Sequence, residues 1–172
     1  RKYIRQYAGY GVISLQRESL FSEIVKMANA CNISFVCTKG SVFRDYYDLP
    51  PVRSMGDIDI VIHEEDRASM DHIMTNVLGY DKFIDHHDCW TYWKGNVYIE
   101  IHTHMFYDPL ANDYDYRSYF DQVWDHIHHA PVFGIESENL YIPDESFHFL
   151  YLMTHTAKHI VNKGSGFRPY VD

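Results

Sequence analysis

The sequence predicts an α+β fold in which a mixed β-sheet is flanked by helices and followed by a C-terminal helical segment. Three observations support this class. Apolar residues recur at helical spacing over 20–32, alternate at strand spacing over 57–63 and again further along, and return to helical spacing after Pro143. We expect residues 1–130 to form the core and residues 131–172 to form the helical segment, which we expect to be truncated.

The first elements alternate between helix and strand. Residues 20–32 predict a helix of about four or five turns, and residues 33–36 predict a short strand. Gly40 then breaks the strand pattern, so that a helical turn can follow through 43–47. The next stretch, 48–56, contains two adjacent prolines and predicts a loop.

The centre of the chain combines strands with one helix. In 57–63, alternate isoleucines share one face, and Asp57 and Asp59 share the other. A helix over 64–78 follows, with negative charge at its start. Three strands come next, and Gly95 predicts a tight hairpin between the last two. These strands cover 81–86, 89–94 and 96–102.

The rest of the chain predicts helices. An aromatic stripe over 114–124 is typical of a helix packed on the core, and we interpret residues 125–129, which include three histidines, as its solvated end. A short extended piece over 140–142 leads to a final helix that begins after Pro143 and stops at Gly164. The residues at stripe spacing along that helix are Phe147, Leu150, Tyr151, Thr154, Lys158 and Val161.

Composition restricts the classes of function. The net charge is −9 with neutral histidines, and residues 95–157 contain ten acidic residues against one basic residue, Arg117. Nucleic acid is therefore a disfavoured partner, because affinity for it starts from phosphate neutralisation. The longest apolar run has five residues, whereas a membrane-spanning helix needs about 20. Three cysteines without a C-x-x-C pair favour free thiols and a cytoplasmic protein.

Three carboxylates can meet on one face of the predicted sheet. Asp57 and Asp59 lie two residues apart on one strand, within about 7 Å of each other, and Glu100 lies on another predicted strand. Such carboxylates repel one another unless a cation balances them. Mg²⁺ prefers oxygen ligands, and two such ions about 3.5–4 Å apart can polarise an attacking and a leaving oxygen. We therefore expect Mg²⁺, or Mn²⁺, at these three residues.

The Lys-Gly-Ser sequence at 39–41 can form a phosphate-binding turn. Gly40 lets backbone N–H groups approach a phosphate closely, and Ser41 follows it at the start of the helical turn. Lys39 and Arg53 flank this region, so either cation could neutralise a triphosphate. A Gly-Ser pair alone is unspecific, but the downstream Asp-Ile-Asp and the later strand glutamate make the pattern specific.

Together these motifs resemble the nucleotidyltransferase superfamily typified by DNA polymerase beta. They are more closely similar to poorly characterised bacterial nucleotidyltransferases with a Lys-Gly turn, an Arg shortly before Asp-x-Asp, and a later Glu-x-His. The resemblance covers about residues 12–105. It implies a nucleotidyltransferase-like mixed sheet and an NTP substrate, with the metals on the two aspartates and the triphosphate on the Gly-Ser pair. It leaves Glu100 either to complete the metal site or to act as the base.

The 12 histidines leave alternatives open. His102 either supports a ligand or the acceptor, or is simply exposed. His155 and His159 have the spacing of zinc ligands, but the glutamate of the zinc-protease motif is missing between them. We favour a helix that packs on the cleft, with His155 or Lys158 reaching a phosphate. His86, His87 and Cys89, around a predicted turn, could also bind an adventitious metal ion.

These observations lead to three hypotheses. The leading one is a metal-dependent nucleotidyltransferase that moves a nucleoside monophosphate from an NTP to a hydroxyl of a small molecule or protein and releases pyrophosphate. The alternative is a catalytically inactive nucleotide-binding or antitoxin-like partner protein of the same fold. Magnesium-dependent NTP binding through Asp57 and Asp59, followed by pyrophosphate release, distinguishes these two. The third, a zinc hydrolase, predicts stoichiometric zinc and indifference to Asp57→Asn.

Overall fold

The computed structural model describes residues 2–53, 55–85, 89–106 and 114–163, and a mixed sheet of seven strands lies at its centre. The strands are β1 (Phe35–Thr38), β2 (Asp57–Ile62), β3 (Asp81–Asp85), β4 (Cys89–Lys94), β5 (Val97–His102), β6 (Ile127–His129) and β7 (Leu140–Pro143). Their order across the sheet is β3-β4-β5-β2-β1-β7-β6. The predicted α+β fold with a mixed sheet is confirmed.

Five α-helices accompany the sheet in the described ranges. They are α1 (Lys2–Ala30), α2 (Gly40–Phe43), α3 (Arg67–His72), α4 (Tyr116–Phe120) and α5 (Glu145–Lys163). Short 3-10 turns extend α2 and α4, and a π-helical turn extends α3. Among the described residues, none of the helices has the length and apolar character that crossing a bilayer requires.

The strand pairing brings distant segments of the chain side by side. β2 runs antiparallel to β1 and parallel to β5. β7 runs parallel to β1 on its other side. β4 and β5 form the predicted hairpin, and Gly95 in its turn has a φ of +61°, which glycine adopts without steric cost. As a result, β1, β2 and β5 lie next to one another in the middle of the sheet.

The two faces of the sheet carry different cores. On the first face, the isoleucines of β2 pack with Phe21 of α1 and Met70 of α3. On the second face, Val61 of β2 packs with Phe120 of α4 and Phe147 of α5. Because side chains alternate along a strand, the two aspartates of β2 lie on the second face. Helices α4 and α5 share this face with them.

The first helix is longer than its apolar pattern predicted. It has 29 residues, from Lys2 to Ala30, whereas the pattern over 20–32 predicted about four or five turns. The reason lies in the polar residues that its first half buries: Ser14 and Arg17 are only 5% and 7% exposed. Arg17 donates a hydrogen bond to the Met55 carbonyl. These polar residues add nothing to an apolar stripe and lie before the predicted start of the helix.

The predicted helix end at 125–129 is wrong. His128 and His129 lie on β6, which pairs with β7, and pairing with a strand that is remote in sequence leaves no local signal. The division near residue 130 stays a prediction, and β7, from the predicted C-terminal segment, belongs to the sheet. The predicted end of the last helix at Gly164 lies outside the described residues.

Candidate active site

Three carboxylates converge on the second face of the sheet, where β2 and β5 run side by side. The register pairs Asp57 with Tyr98 and Asp59 with Glu100. Paired residues of neighbouring strands share a face, and so do residues two apart along one strand. The structure therefore brings together Asp57, Asp59 and Glu100, the three carboxylates that the sequence selected.

Lys39 supplies a positive charge to this cluster. It directly follows β1, and its neighbour Thr38 is the register partner of Asp59. The Lys39 Nζ lies 2.5 Å from the Asp59 Oδ1, with the two side chains 19% and 3% exposed. Burial opposes the charge on Lys39, but the Asp59 carboxylate raises the pKa of this lysine well above its usual value. Lys39 is therefore an ammonium ion.

The two aspartates differ in their protonation. Burial raises the pKa of Asp57 to about 6, and the carboxylates of Asp59 and Glu100 add to this effect. Burial also opposes the charge on Asp59, yet Lys39 and His102 hold the pKa of Asp59 well below its usual range. The positive charge of Lys39 thus neutralises the negative charge of the Asp59 carboxylate, whereas the negative charge of Asp57 is not fully neutralised. A divalent cation is the kind of group that would neutralise it.

His102 is a buried member of this cluster. Its Nε2 lies 3.4 Å from the Asp59 Oδ1 and 3.6 Å from the Glu100 Oε2. Burial opposes a charge on the imidazole, but Asp59, Cys89 and Glu100 raise the pKa of His102 well above its usual value. Of the two alternatives for His102, the structure removes the exposed one, because only 6% of the residue is exposed.

Donor atoms for a cation come in two kinds at this site. Asp57, Asp59 and Glu100 offer carboxylate oxygens, which Mg²⁺ and Mn²⁺ prefer. Cys89, Glu100 and His102 offer sulfur, oxygen and nitrogen atoms within 4.8 Å of one another. This mixed set suits zinc better than magnesium. Glu100 belongs to both sets. The other residues of the metal cluster suggested at 86–89 lie outside the described ranges.

The Lys-Gly-Ser turn lies beside the carboxylates. Ser41 is fully buried, and its hydroxyl donates to the Thr38 carbonyl at 2.7 Å, so this side chain stabilises the turn. A Cβ on Gly40 would lie only 2.9 Å from the Nη1 of Arg53. The same Nη1 lies 3.4 Å from the Gly40 carbonyl oxygen. The structure thus places Arg53 against the turn, together with the other cation that the sequence selected, Lys39.

Helix α5 lies over this part of the sheet. The imidazole of His148 accepts a hydrogen bond at Nε2 from the backbone N–H of Lys39, over 2.9 Å. The ring of Tyr151 packs in the second core, and the ring centroid of His155 lies 5.7 Å from it. Burial, with Lys39 nearby, lowers the pKa of His155 to about 2. His155 is therefore neutral.

The other predicted residues of α5 lie further along the same helix. The Lys158 Nζ lies 5.7 Å from the ring centroid of Phe106. The rings of His155 and His159 are 4.5 Å apart and nearly perpendicular. His159 is exposed, whereas His155 is partly covered. The structure places this histidine pair on α5 and the Cys89, Glu100 and His102 donor set on β4 and β5.

Sequence reasoning missed His148. It placed Leu150 in the stripe of the last helix and left His148 out, whereas Leu150 is 46% exposed and His148 is 3% exposed. Leu150 and His148 lie two positions apart and so face different sides of the helix. A signal for His148 was present, since His148, Tyr151 and His155 follow one another at intervals of three and four residues. A stripe of polar rings with that spacing indicates a helix that packs on a polar site.

Comparison with known proteins identifies the family. A family model described as "uncharacterised nucleotidyltransferase" matches residues 8–172. The chain belongs to this family. The resemblance drawn from the Lys-Gly, Asp-x-Asp and Glu-x-His motifs is thereby confirmed. The comparison with curated proteins found no match.

Two solved structures of one protein are similar to this chain over part of its length. The solution structure of the antibiotic-resistance factor ANT(2″)-Ia has 17% sequence identity and a TM-score of 0.45, covering 53% of this chain and 48% of that one. The crystal structure of ANT(2″)-Ia in complex with adenylyl-2″-tobramycin has 18% identity and a TM-score of 0.45, covering 55% and 53%. The matched part of this chain thus spans about half the length of each.

Proposed function

We propose that this protein is a metal-dependent nucleotidyltransferase that moves a nucleoside monophosphate from an NTP to a hydroxyl of a small molecule or a protein. The observation that carries this proposal is the convergence of Asp57, Asp59 and Glu100 beside the Lys-Gly-Ser turn. Membership of the family supports the class of reaction. The excess of acidic residues over the second half of the chain disfavours a nucleic-acid acceptor.

Asp57 and Asp59 would hold Mg²⁺ or Mn²⁺, and Glu100, beside them, would serve as the base. The residues fit such an ion, since their donors are oxygens and since burial, with the nearby carboxylates of Asp59 and Glu100, raises the pKa of Asp57 to about 6. The ammonium of Lys39 against Asp59 marks a place where positive charge is stabilised. When bound, the metal ions would neutralise the triphosphate and polarise the attacking and leaving oxygens.

The triphosphate would lie against the Lys-Gly-Ser turn. Gly40 would offer its backbone N–H group there, and the buried Ser41 would hold the turn in shape through its bond to the Thr38 carbonyl. Lys39 and Arg53 would neutralise phosphate oxygens from the two sides of the turn. His155 and Lys158 lie on the helix above, where either could reach a phosphate. Substrate binding in this arrangement relies on backbone groups and cations and needs no reactive side chain.

Bond exchange would occur at the α-phosphorus of the NTP. The acceptor's hydroxyl oxygen forms a bond to this phosphorus, and the bond from the phosphorus to the pyrophosphate oxygen breaks. The hydroxyl proton passes to Glu100, whose side chain is 30% exposed, whereas that of Asp59 is 3% exposed. His102, which lies between these two carboxylates, keeps them oriented. Catalysis then consists chiefly of positioning and electrostatic stabilisation.

Thermal melting with nucleotides tests this proposal without knowledge of the acceptor. The protein is melted with ATP, GTP, CTP or UTP, each with and without Mg²⁺. A ligand at a hundred times its Kd stabilises by about 2.7 kcal/mol, which raises the Tm by about 5–10 °C for a domain of this size. The double variant Asp57→Asn/Asp59→Asn is measured in parallel, and Asp81→Asn, an exposed aspartate on β3, is the matched control.

We expect a magnesium-dependent shift with at least one NTP, lost in the double variant and kept in Asp81→Asn. That nucleotide, labelled at the α-phosphate, then serves to search for acceptors by label transfer and pyrophosphate release. A nucleotide shift without turnover on any acceptor would favour the inactive partner protein. The absence of any shift in the unaltered protein would overturn the proposal.

A further inference from the structure

A single hydrogen bond connects α5 to the first residue of the Lys-Gly-Ser turn. The backbone N–H of Lys39 donates to the Nε2 of His148 over 2.9 Å, and the two residues are 109 positions apart in sequence. His148 is only 3% exposed. The ring centroid of Phe43, on α2, lies 4.9 Å from that of His148, and the two rings are tilted by 32°. The imidazole is thus held in place from the side of the turn as well as from its own helix.

The protonation state of His148 allows it to accept this hydrogen bond. Burial lowers its pKa to about 4, opposed by the Asp59 carboxylate and reinforced by the Lys39 ammonium. The ring is therefore neutral at neutral pH. A neutral imidazole has one bare nitrogen and one that carries a proton. Because Nε2 accepts from Lys39, the proton is on Nδ1.

Lys39 needs such an anchor because its backbone is strained. Its φ is +54° and its ψ is −129°, a conformation that a residue with a side chain rarely adopts. Its carbonyl accepts hydrogen bonds from the backbone N–H groups of Val42 and Phe43. Its side chain pairs with Asp59. The amide, the carbonyl and the side chain of one residue thus connect α5, α2 and the carboxylates.

We propose that His148 is a positioning residue, which fixes the Lys39 amide and thereby holds the Lys-Gly-Ser turn in the shape that binds the triphosphate. This inference rests on the proposed function, since it assigns the turn to the triphosphate. It goes further in giving α5 control over phosphate affinity, although His148 itself touches no substrate. Loss of the acceptor would leave a buried N–H unsatisfied, and the turn would relax away from its strained conformation.

Two substitutions of His148 distinguish the effect of its hydrogen-bond acceptor from the effect of its ring shape. His148→Phe keeps a planar ring against Phe43 and removes the acceptor, whereas His148→Gln keeps an acceptor oxygen near the position of Nε2. A cavity of about 580 Å³ lies beside His148, between α2, β7 and α5, and gives either side chain room to adjust. His72→Phe, at an exposed histidine of α3, is the matched control.

Isothermal titration calorimetry with magnesium and ATP, and with magnesium and inorganic tripolyphosphate, measures the affinity of the turn. We expect His148→Phe to weaken both ligands by about tenfold, the cost of one unsatisfied buried N–H. His148→Gln should stay within about threefold of the unaltered protein, and His72→Phe should not differ from it. Binding of Mn²⁺ alone, followed by electron paramagnetic resonance, should be the same in all four proteins.

The outcomes separate positioning from a general structural role. A loss of Mn²⁺ binding in parallel with ATP, or equal losses in His148→Phe and His148→Gln, would overturn the proposal, and so would unchanged ATP binding in His148→Phe. If the unaltered protein binds neither ATP nor tripolyphosphate, the proposed function fails with it. Should His148→Phe not fold, nitrogen NMR of the unaltered protein decides: Nε2 must be unprotonated at pH 7, and the Lys39 amide must shift on ATP binding.

Discussion

Asp57 should destabilise the metal-free protein. Its pKa is raised from 3.8 to about 6, chiefly by burial and by the neighbouring Asp59 and Glu100 carboxylates. A folded-state pKa above the unfolded one means that stability is fully present below about pH 4 and is lost as the pH rises through 6. Each step of one in pKa corresponds to about 1.4 kcal/mol, so the loss reaches about 3 kcal/mol at pH 8.

Asp57→Asn removes this ionisation and keeps the shape of the side chain. In urea denaturation with excess EDTA, we expect the variant to be more stable than the unaltered protein by up to about 3 kcal/mol at pH 8. The gain should shrink below about 1 kcal/mol at pH 4, where the carboxyl is protonated in the folded protein and partly protonated in the unfolded chain as well. Asp81→Asn, on the exposed edge of the sheet, should give no such gain.

The same substitution should abolish magnesium-dependent stabilisation by an NTP, so that one change raises stability and removes binding. A variant that is no more stable than the unaltered protein at pH 8 would refute the reasoning. So would a gain of the same size at pH 4 and pH 8, since it would point to a cause other than ionisation. Either result would mean that burial and the neighbouring carboxylates do not raise the pKa of Asp57 in the folded protein.

Three further predictions follow from the contacts of the site and its core. Asp59→Asn should lower the free energy of unfolding by about 3–5 kcal/mol in urea denaturation, because it leaves the largely buried Lys39 ammonium without its partner; unchanged stability would contradict the ion pair. Gly40→Ala should keep the fold but weaken ATP binding about tenfold in calorimetry, since its Cβ would displace a guanidinium 2.9 Å away. Phe147→Ala should cost about 3–5 kcal/mol in urea denaturation, because the ring is buried in the core between the sheet and α5.

The central strands were predictable because each carries its own signal. The alternation in 57–63 places the isoleucines on one face and the aspartates on the other without knowledge of the neighbours. The hairpin at Gly95 likewise depends on local turn chemistry. The three carboxylates and the cations at Lys39 and Arg53 could therefore be selected together, since the motif pattern itself fixes which strands must lie side by side.

The parts that the sequence did not predict depend on contacts between remote segments. Arg17 of α1, which lies before the predicted start of the helix, donates to the Met55 carbonyl, a contact that periodicity of apolar residues cannot detect. β6 is a strand only because β7 pairs with it. His148 was missed because its partner is a backbone N–H on a different element. In each case the decisive group is polar and its partner is far away in sequence.

The alternation of side chains along β2 also determines what happens if this strand pairs in the wrong register. A slip of one residue in the pairing of β2 would turn Ile58 and Ile60 towards α5 and move Asp57 and Asp59 beneath α1. Two carboxyl groups would then lie among hydrocarbon side chains without a cation, and either an uncompensated charge or the uptake of a proton would destabilise the slipped sheet. The native register of β2 is therefore favoured, because a sheet that folds out of register is less stable. Any molecule that has formed its core correctly has its carboxylates in working position as well.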